Sequence, residues 1–376
     1  MKNDPNFDFY SFHFEVENKP AGPRLNQAET MPPLSSVTDE VVPVRVDKTR
    51  RRAARRAFSR VGWGFVLMIV LGLIACAACA LSIQTFAPEW VGQDWYVVLV
   101  GSLPMYLIAL LVFSLVLLGL PKRTPERARI GFGGFVAFFT AGIAMMTVGT
   151  LLGNGVMLGV SELLGHEYVN VIDQVGTARP WLLAVYLLLL APLFEELIFR
   201  KLLIDRLLPH GEWGAVLVSA LLFALFHGNL YQFFGAVLVG ALLSFLYLRT
   251  GRVGLGILLH SLFNLFCGVV PLLLEQQLDL QLIQGATDPA VLLSYLNENV
   301  LPYCLLLAHQ LFSWVLSFAG VIVFFVCRRK YFKTRPQLGE LTGRRGTVVF
   351  LNVGMLLALI FSVAYFELSL IFSVLS

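Results

Sequence analysis

Charged residues are scarce in this sequence, and this scarcity is the first guide to its class. Of 376 residues, only 14% are charged, whereas 57% are hydrophobic, and the mean hydropathy is +0.75. A soluble domain of this size carries far more charge, so the composition excludes an ordinary soluble fold. The sequence also lacks a phosphate-binding loop, a solenoid repeat and a nucleic-acid-binding module. We therefore predict an all-α fold, a polytopic helical bundle in a membrane.

Cysteine is also sparse, with five residues in the chain. Cys76 and Cys79 form a C-x-x-C pair, but the pair lies within an uncharged apolar segment. We interpret both as small packing residues. Cys267, Cys304 and Cys327 lie far apart in the chain. The cysteines therefore indicate no redox or metal site.

The amino-terminal residues lack the short basic start and apolar core of a signal peptide. Residues 1–44 are rich in Pro, Asn, Ser and acidic side chains, which is typical of a mobile tail. Eight basic residues follow between Arg45 and Arg60. By the positive-inside rule they place the N-terminus in the cytoplasm, next to anionic lipid rather than nucleic acid. We therefore divide the chain into a largely disordered cytoplasmic tail, 1–60, and a transmembrane domain, 61–376.

Long apolar segments recur along the rest of the chain. Each approaches the roughly 20 residues that a helix needs to cross the hydrocarbon of a bilayer. They lie at 61–86, 95–120, 131–160, 181–200, 213–227, 229–248, 253–274, 302–326 and 347–374. Because the fifth segment is short and closely followed by the sixth, the sequence predicts eight or nine transmembrane helices.

The loops between these segments differ in charge, which predicts their side of the membrane. The basic regions, predicted to be cytoplasmic, are 121–129, the surroundings of Lys201 and Arg206, 249–252 and 327–346. The loops predicted to be outside hold nine acidic residues and one arginine, and they are 87–94, 161–180 and 275–301. With nine spans in a cell membrane, this asymmetry puts the N-terminus inside and the C-terminus outside.

The fourth segment carries charges that a membrane helix normally excludes. The stretch APLFEELIFR, residues 191–200, places Glu195, Glu196 and Arg200 in an otherwise apolar run. Glu196 and Arg200 share a helix face, so we predict an ion pair that supports the site structurally. Glu195 points about 100° away from Glu196 and is left without a local partner. Pro192 is expected to kink the helix and to open space beside Glu195.

Two later segments place other polar residues at helical spacing. Phe223 and His227 lie at i and i+4 in the fifth segment, and His260 and Asn264 lie at i and i+4 in the seventh. At a rise of about 1.5 Å per residue, His260 and Asn264 lie about 10 to 17 Å from the cytoplasmic end of their segment, and His227 lies about 20 Å from its own. Glu195 is about 8 Å deep if its helix leaves the membrane at Lys201 and about 20 Å deep if the helix continues to Leu208. We therefore predict one shared cavity, which Phe223 lines without reacting.

The order EExxxR, FxxxH and HxxxN, each within a membrane segment, resembles the CAAX protease and bacteriocin-processing family, also called the Abi family. The resemblance covers residues 180–270, and every motif position is filled. Enzymes of that family that resemble the Rce1-type CAAX prenyl endopeptidase are glutamate-dependent intramembrane proteases whose site opens to the cytosol. The resemblance therefore implies a membrane-embedded peptidase for a membrane-associated protein or leader peptide. It gives no role to the first three segments, the tail or the ninth segment.

The residue types suit peptide hydrolysis. A carboxylate in a partly apolar pocket accepts a proton from water readily, so we predict Glu195 with His227 as the general base. His260 and Asn264 can donate hydrogen bonds to the oxyanion of a tetrahedral intermediate. A zinc site is the alternative, because His227, His260 and Glu195 are acceptable ligands. The HExxH spacing is absent, so we favour a metal-free mechanism without a cofactor.

Interpretations from other classes remain open. A proton-coupled transporter would also use buried carboxylates and histidines, although here these residues cluster toward one side of the membrane. A non-catalytic scaffold or a bacteriocin self-immunity protein is also compatible with the family resemblance. The sequence identifies neither the substrate nor whether it is prenylated.

Overall fold

The computed structural model describes only part of the chain. The described residues are 48–166, 168, 180–336 and 345–375. The tail predicted over residues 1–44 lies outside them, as do most of the predicted outside loop 161–180 and part of the predicted cytoplasmic loop 327–346.

The described residues form helices and contain no strand. The helices before the motifs are α1 (Lys48–Phe86), α2 (Asp94–Val116) and α3 (Phe132–Leu164). The helices of the motif region are α4 (Trp181–His210), α5 (Glu212–Phe226), α6 (Leu230–Thr250) and α7 (Val253–Glu275). The helices that follow are α8 (Leu280–Gly285), α9 (Pro289–Glu298), α10 (Val300–Tyr331), α11 (Arg345–Val349) and α12 (Val353–Leu375).

Six of these helices are long and apolar enough to cross a membrane, namely α1, α3, α4, α6, α7 and α10. Shorter apolar stretches lie in α2, α5 and α12, at Val100–Val116, Glu212–Phe226 and Val353–Leu368. These helices coincide with the predicted apolar segments. The prediction of an all-α, polytopic membrane bundle is confirmed.

The outer surface of the bundle is apolar. On α10, for example, Leu311, Phe318 and Ile322 expose 67%, 69% and 65% of their surface. A water-soluble protein does not present so continuous an apolar surface, whereas the hydrocarbon of a bilayer accepts it. The chain is therefore a multi-pass membrane protein.

The helix α3 packs against α6 through glycines. A Cβ atom added at Gly149 would lie 2.1 Å from the Cα of Gly235, and one added at Gly153 would lie 2.3 Å from the carbonyl oxygen of Tyr231. No side chain fits at such distances, so the two backbones approach each other because these positions are glycine. This contact fixes α6 beside the motif-bearing helices.

The helix α1 begins at Lys48, before the predicted domain boundary at residue 61. Phe58 is fully buried, and Arg55 donates a 2.9 Å hydrogen bond to the carbonyl of Leu351. The last part of the basic run is thus helical and packs on the bundle, while the division into a tail and a membrane domain stays a prediction.

Candidate active site

The helix α4 contains two π-helical segments, and the motif glutamates lie between them. The π segments are Tyr186–Leu190 and Leu197–Ile204, and the α-helical turn between them is Ala191–Glu196. A π segment inserts an extra residue into a helical turn and is frequent at functional sites. Here it changes the direction in which the side chains before and after the glutamates point.

Pro192 accounts for the first π segment. Proline has no backbone N–H, so Pro192 cannot donate to the carbonyl of Leu188. Ala191 donates to the carbonyl of Tyr186, five residues back, so the carbonyl of Leu187 loses the donor that an α-helix would supply. The distortion expected at Pro192 is therefore a local widening of the helix, which leaves two carbonyls in need of donors.

Side chains of α7 donate to these two carbonyls. Asn264 Nδ2 lies 2.8 Å from the carbonyl oxygen of Leu187, and Ser261 Oγ lies 2.7 Å from that of Leu188. These bonds dock α7 against the widened turn of α4. The amide of Asn264 has two N–H groups, and the bond to Leu187 uses one of them. The role of Asn264 as an oxyanion donor stays a prediction.

Glu195 lies buried between α2 and α7, with 5% of its surface exposed. Its Oε1 accepts a 2.6 Å hydrogen bond from Tyr106 Oη of α2. Its Oε2 lies 3.7 Å from Nε2 of His260. The partner that the sequence did not provide locally is therefore a tyrosine from a distant helix.

Glu196 and Arg200 form the predicted ion pair, and both are fully buried. Arg200 Nε lies 3.3 Å from Glu196 Oε2, and the two atoms form an ion pair without a hydrogen bond between them. The guanidinium also lies 4.4 Å from the ring centroid of Phe223 and donates to the carbonyl of Gly240 at 3.4 Å. A Cβ at Gly256 of α7 would lie 2.7 Å from Glu196 Oε2, so only glycine leaves room for this carboxylate.

His260 lies between the two glutamates. Its Nδ1 is 3.2 Å from Glu196 Oε1, and its Nε2 is the nitrogen that faces Glu195. An ionised carboxylate only accepts hydrogen bonds, so Nδ1 carries a proton in this arrangement. The structure thus brings His260 next to the predicted base Glu195.

His227 follows the last turn of α5, and its Nδ1 lies 2.8 Å from the carbonyl oxygen of Phe223. A carbonyl only accepts, so Nδ1 is the donor, and Nε2 of a neutral ring is left with a free lone pair. This assignment of the proton follows from the hydrogen-bond network. The Phe223 ring lies edge-on to His227 at 4.9 Å and to His260 at 5.8 Å. Within the described part of the chain, no hydrogen bond joins His227 to Glu195, and the Phe223 ring lies against both imidazoles.

The segment that carries the three motifs resembles a known protein family. Residues 177–266 match the model of the family described as type II CAAX prenyl endopeptidase, Rce1-like. The chain is also 28% identical over 201 residues to the protein named "Putative membrane peptidase YdiL" of Bacillus subtilis (strain 168), and this alignment covers 49% of the chain and 79% of that protein. No solved structure matches the chain. The family resemblance predicted from the sequence is confirmed for this segment.

The Rce1-like segment contains all three motifs, from Glu195 to Asn264. It corresponds to the core predicted at 180–270. It does not contain Tyr106, which lies on α2 and bonds to Glu195. A side chain from outside the Rce1-like segment therefore contacts the first glutamate of its motif.

Sequence reasoning missed three residues of this site: Tyr106, Gly256 and Ser261. Tyr106 gave no signal, because a single tyrosine in an apolar helix has no spacing that relates it to Glu195. Ser261 follows His260 directly and Gly256 precedes it by one turn. Their positions beside HxxxN were visible, but their contacts depend on how α7 meets α4.

The three residues considered as zinc ligands are only partly brought together. Glu195 and His260 face each other at 3.7 Å, whereas His227 is bonded to the Phe223 carbonyl. Within the described ranges, no set of three His, Cys, Asp or Glu side chains is arranged to hold an ion. The metal-free mechanism stays a prediction.

Proposed function

We propose that this protein is an intramembrane endopeptidase of the CAAX prenyl protease type, which hydrolyses a peptide bond of a membrane-associated protein with a glutamate-activated water. The observation that carries the proposal is the environment of Glu195. One oxygen of this buried carboxylate is held by Tyr106, and the other faces His260. A buried carboxylate with one oxygen that makes no hydrogen bond is suited to take a proton from water.

In the proposed reaction, a water bound to Oε2 of Glu195 gives up a proton as its oxygen attacks the scissile carbonyl carbon. Glu195 accepts this proton, and the lone pair of His227 Nε2 helps to withdraw it from the water. The proton is later delivered to the leaving amine as the C–N bond breaks. His260 donates to the oxyanion through Nε2 when both of its ring nitrogens carry a proton, and the unused N–H of Asn264 is the second donor. Glu196, Arg200 and Phe223 support the site without reacting.

The substrate is proposed to be a membrane-associated protein or leader peptide, with prenylation as one possibility that the family description suggests. Processing of a bacteriocin, or self-immunity without catalysis, would use the same fold. The direct test is cleavage by purified protein of an internally quenched peptide that ends in a farnesylated CAAX sequence, hereafter the reporter peptide. New N-termini in membranes that contain the wild type, but not its Glu195→Gln variant, would reveal other substrates. Failure of both experiments contradicts a peptidase.

We propose that the reaction needs no metal, because the described residues provide a proton acceptor at Glu195 but no three-ligand site. Purified protein is expected to contain less than one zinc per chain and to cleave the reporter peptide equally well after treatment with EDTA. Elemental analysis and the cleavage rate measure these two quantities. Loss of cleavage in the presence of EDTA, restored by added zinc, would instead indicate that Glu195, His227 and His260 are zinc ligands.

We also propose a cell-membrane location with a cytoplasmic N-terminus, based on the charge of the loops. The exposed basic residues at the start of α1, among them Arg52, Arg55 and Arg56, would contact anionic lipid. Reporters inserted after Arg60 and within 327–346 should be cytoplasmic, whereas reporters within 161–180 and 275–301 should be outside. These positions are measured by accessibility to a membrane-impermeant label, with reporters on the two sides serving as controls for each other. A cytoplasmic reporter within 275–301 would overturn the orientation of α7.

A further inference from the structure

We propose that Tyr106 of α2 is a positioning residue for Glu195, so that a helix outside the Rce1-like segment completes the catalytic centre. The inference rests on the proposed function, because it assigns Tyr106 a part in the same reaction. It also gives α2 a role that the family resemblance does not supply.

The contact itself is short and enclosed. Tyr106 exposes 4% of its surface and Glu195 exposes 5%, and the distance from Oη to Oε1 is 2.6 Å. The carboxylate can only accept, so the phenol donates. Hydrogen bonds of this length to an ionised oxygen are the strong, charge-assisted kind, and low polarity around them increases their strength.

The tyrosine ring is held in place by aromatic neighbours from two helices. It stacks on Phe194 of α4, with ring centroids 5.3 Å apart and an interplanar angle of 10°. Phe226 of α5 lies 6.0 Å away in a tilted arrangement. Because Phe194 precedes Glu195 directly, the ring and the carboxylate that it bonds are anchored to the same turn of α4. Tyr106 therefore has little freedom to release Glu195.

The hydrogen bond leaves the two oxygens of Glu195 in different environments. Oε1 is engaged by Tyr106, whereas Oε2 faces His260 at 3.7 Å, longer than a hydrogen bond. Glu196 lacks this asymmetry, because Arg200 contacts one of its oxygens and His260 the other. Tyr106 thus fixes the rotation of the Glu195 carboxylate so that Oε2 is the oxygen offered to water. Since the phenol contacts neither water nor substrate in this mechanism, it acts through Glu195.

Tyr186 provides a matched control on the chain itself. Its hydroxyl lies 3.4 Å from that of Tyr106 and its ring is 6.3 Å away. Among the contacts of the described residues, Tyr186 makes no hydrogen bond to Glu195. Because Tyr106 donates to Glu195, Tyr186 is the donor between the two hydroxyls. Tyr186→Phe therefore removes the same chemical group as Tyr106→Phe, but from a residue that bonds Tyr106 and not Glu195.

The test compares kcat and KM for the reporter peptide in wild type, Tyr106→Phe, Tyr106→Leu and Tyr186→Phe. Tyr106→Phe keeps the ring stack and is expected to lower kcat about tenfold, the effect of losing one hydrogen bond to a charged group, with KM changed less than about twofold. Tyr186→Phe should retain at least about half of the wild-type kcat, since it leaves the bond to Glu195 in place. Tyr106→Leu should be no more active than Tyr106→Phe. Thermal unfolding in detergent is recorded for each, and Tyr106→Phe should unfold within a few degrees of wild type.

Three other results would contradict the positioning role of Tyr106 or the proposed function. If Tyr106→Phe has the wild-type kcat while Tyr106→Leu is impaired, the tyrosine only packs, and the inference fails. Equal losses in Tyr106→Phe and Tyr186→Phe, or a loss that appears only in KM, also contradict positioning of Glu195. If the wild type itself cleaves neither the reporter peptide nor any membrane protein, the proposed function fails and takes this inference with it. Cleavage by wild type that Glu195→Gln abolishes leaves the function intact, so the tyrosine variants alone decide the inference.

Discussion

The Glu195→Gln variant is expected to cleave the reporter peptide about 100-fold more slowly than the wild type, or more slowly still, the range for a lost general base. The amide has nearly the volume of the carboxylate and can still accept the hydrogen bond from Tyr106. It cannot take a proton from water. Because the buried pair of Glu196 and Arg200 is unchanged, the yield of monodisperse protein in detergent should stay at the wild-type level. The measurement is kcat, normalised to folded protein.

The adjacent glutamate is the matched control for this prediction. Glu196→Gln makes the same chemical change one residue away, but it removes the carboxylate that faces the Arg200 guanidinium. We expect this variant to lose folded protein, with cleavage per folded molecule reduced less than in Glu195→Gln. If Glu195→Gln instead cleaved at the wild-type rate while a well-folded Glu196→Gln did not cleave, the roles assigned to the two carboxylates would be reversed.

The Arg200→Ala variant is expected to have the largest effect on stability. Arg200 and Glu196 both have 0% exposure, and breaking a buried ion pair by removing one partner costs about 3 to 5 kcal/mol. His260 Nδ1 still faces Glu196 at 3.2 Å and partly compensates the remaining charge, so we expect the lower end, about 3 kcal/mol. The variant should give less monodisperse protein, a lower unfolding temperature and less cleavage.

Removing both charges separates the ion pair from the space that the arginine fills. In Glu196→Gln with Arg200→Met, no lone charge is buried, and the methionine fills much of the volume of the arginine, whose guanidinium lies over the Phe223 ring. We expect this double variant to recover part of the folded yield lost in Arg200→Ala, because an isolated buried charge costs more than a neutral pair. Should the double variant fold no better than Arg200→Ala, the lost volume or the lost bond to the Gly240 carbonyl would account for the instability.

Local spacing made part of the site predictable. Glu196 and Arg200 lie four residues apart, so helical geometry alone puts them on one face, and the structure contains that pair. The apolar runs predicted the membrane helices for the same reason, since length and hydropathy are properties of a single segment. Phe223 and His227 lie within one turn, and their contact follows from the same periodicity.

Contacts between helices that are distant in the chain were harder to predict from the sequence. We predicted that Glu195 acts with His227, yet the histidine that faces Glu195 is His260. Each histidine belongs to a pair of residues at i and i+4. Nothing in this spacing indicates which of the two imidazoles points toward α4. The catalytic pairing of Glu195 with His227 therefore stays a prediction for mutagenesis.

Composition and periodicity within single helices are sufficient to identify this chain as a helical membrane protein with three ordered polar motifs. Three other features depend on how separate helices pack: Tyr106 holds Glu195, His260 lies between the two glutamates, and Asn264 and Ser261 bond the carbonyls beside Pro192. A helix in a bilayer satisfies its backbone internally and presents apolar side chains around most of its surface. Its rotation relative to its neighbours is therefore set by packing and by buried polar contacts, which involve residues from separate helices.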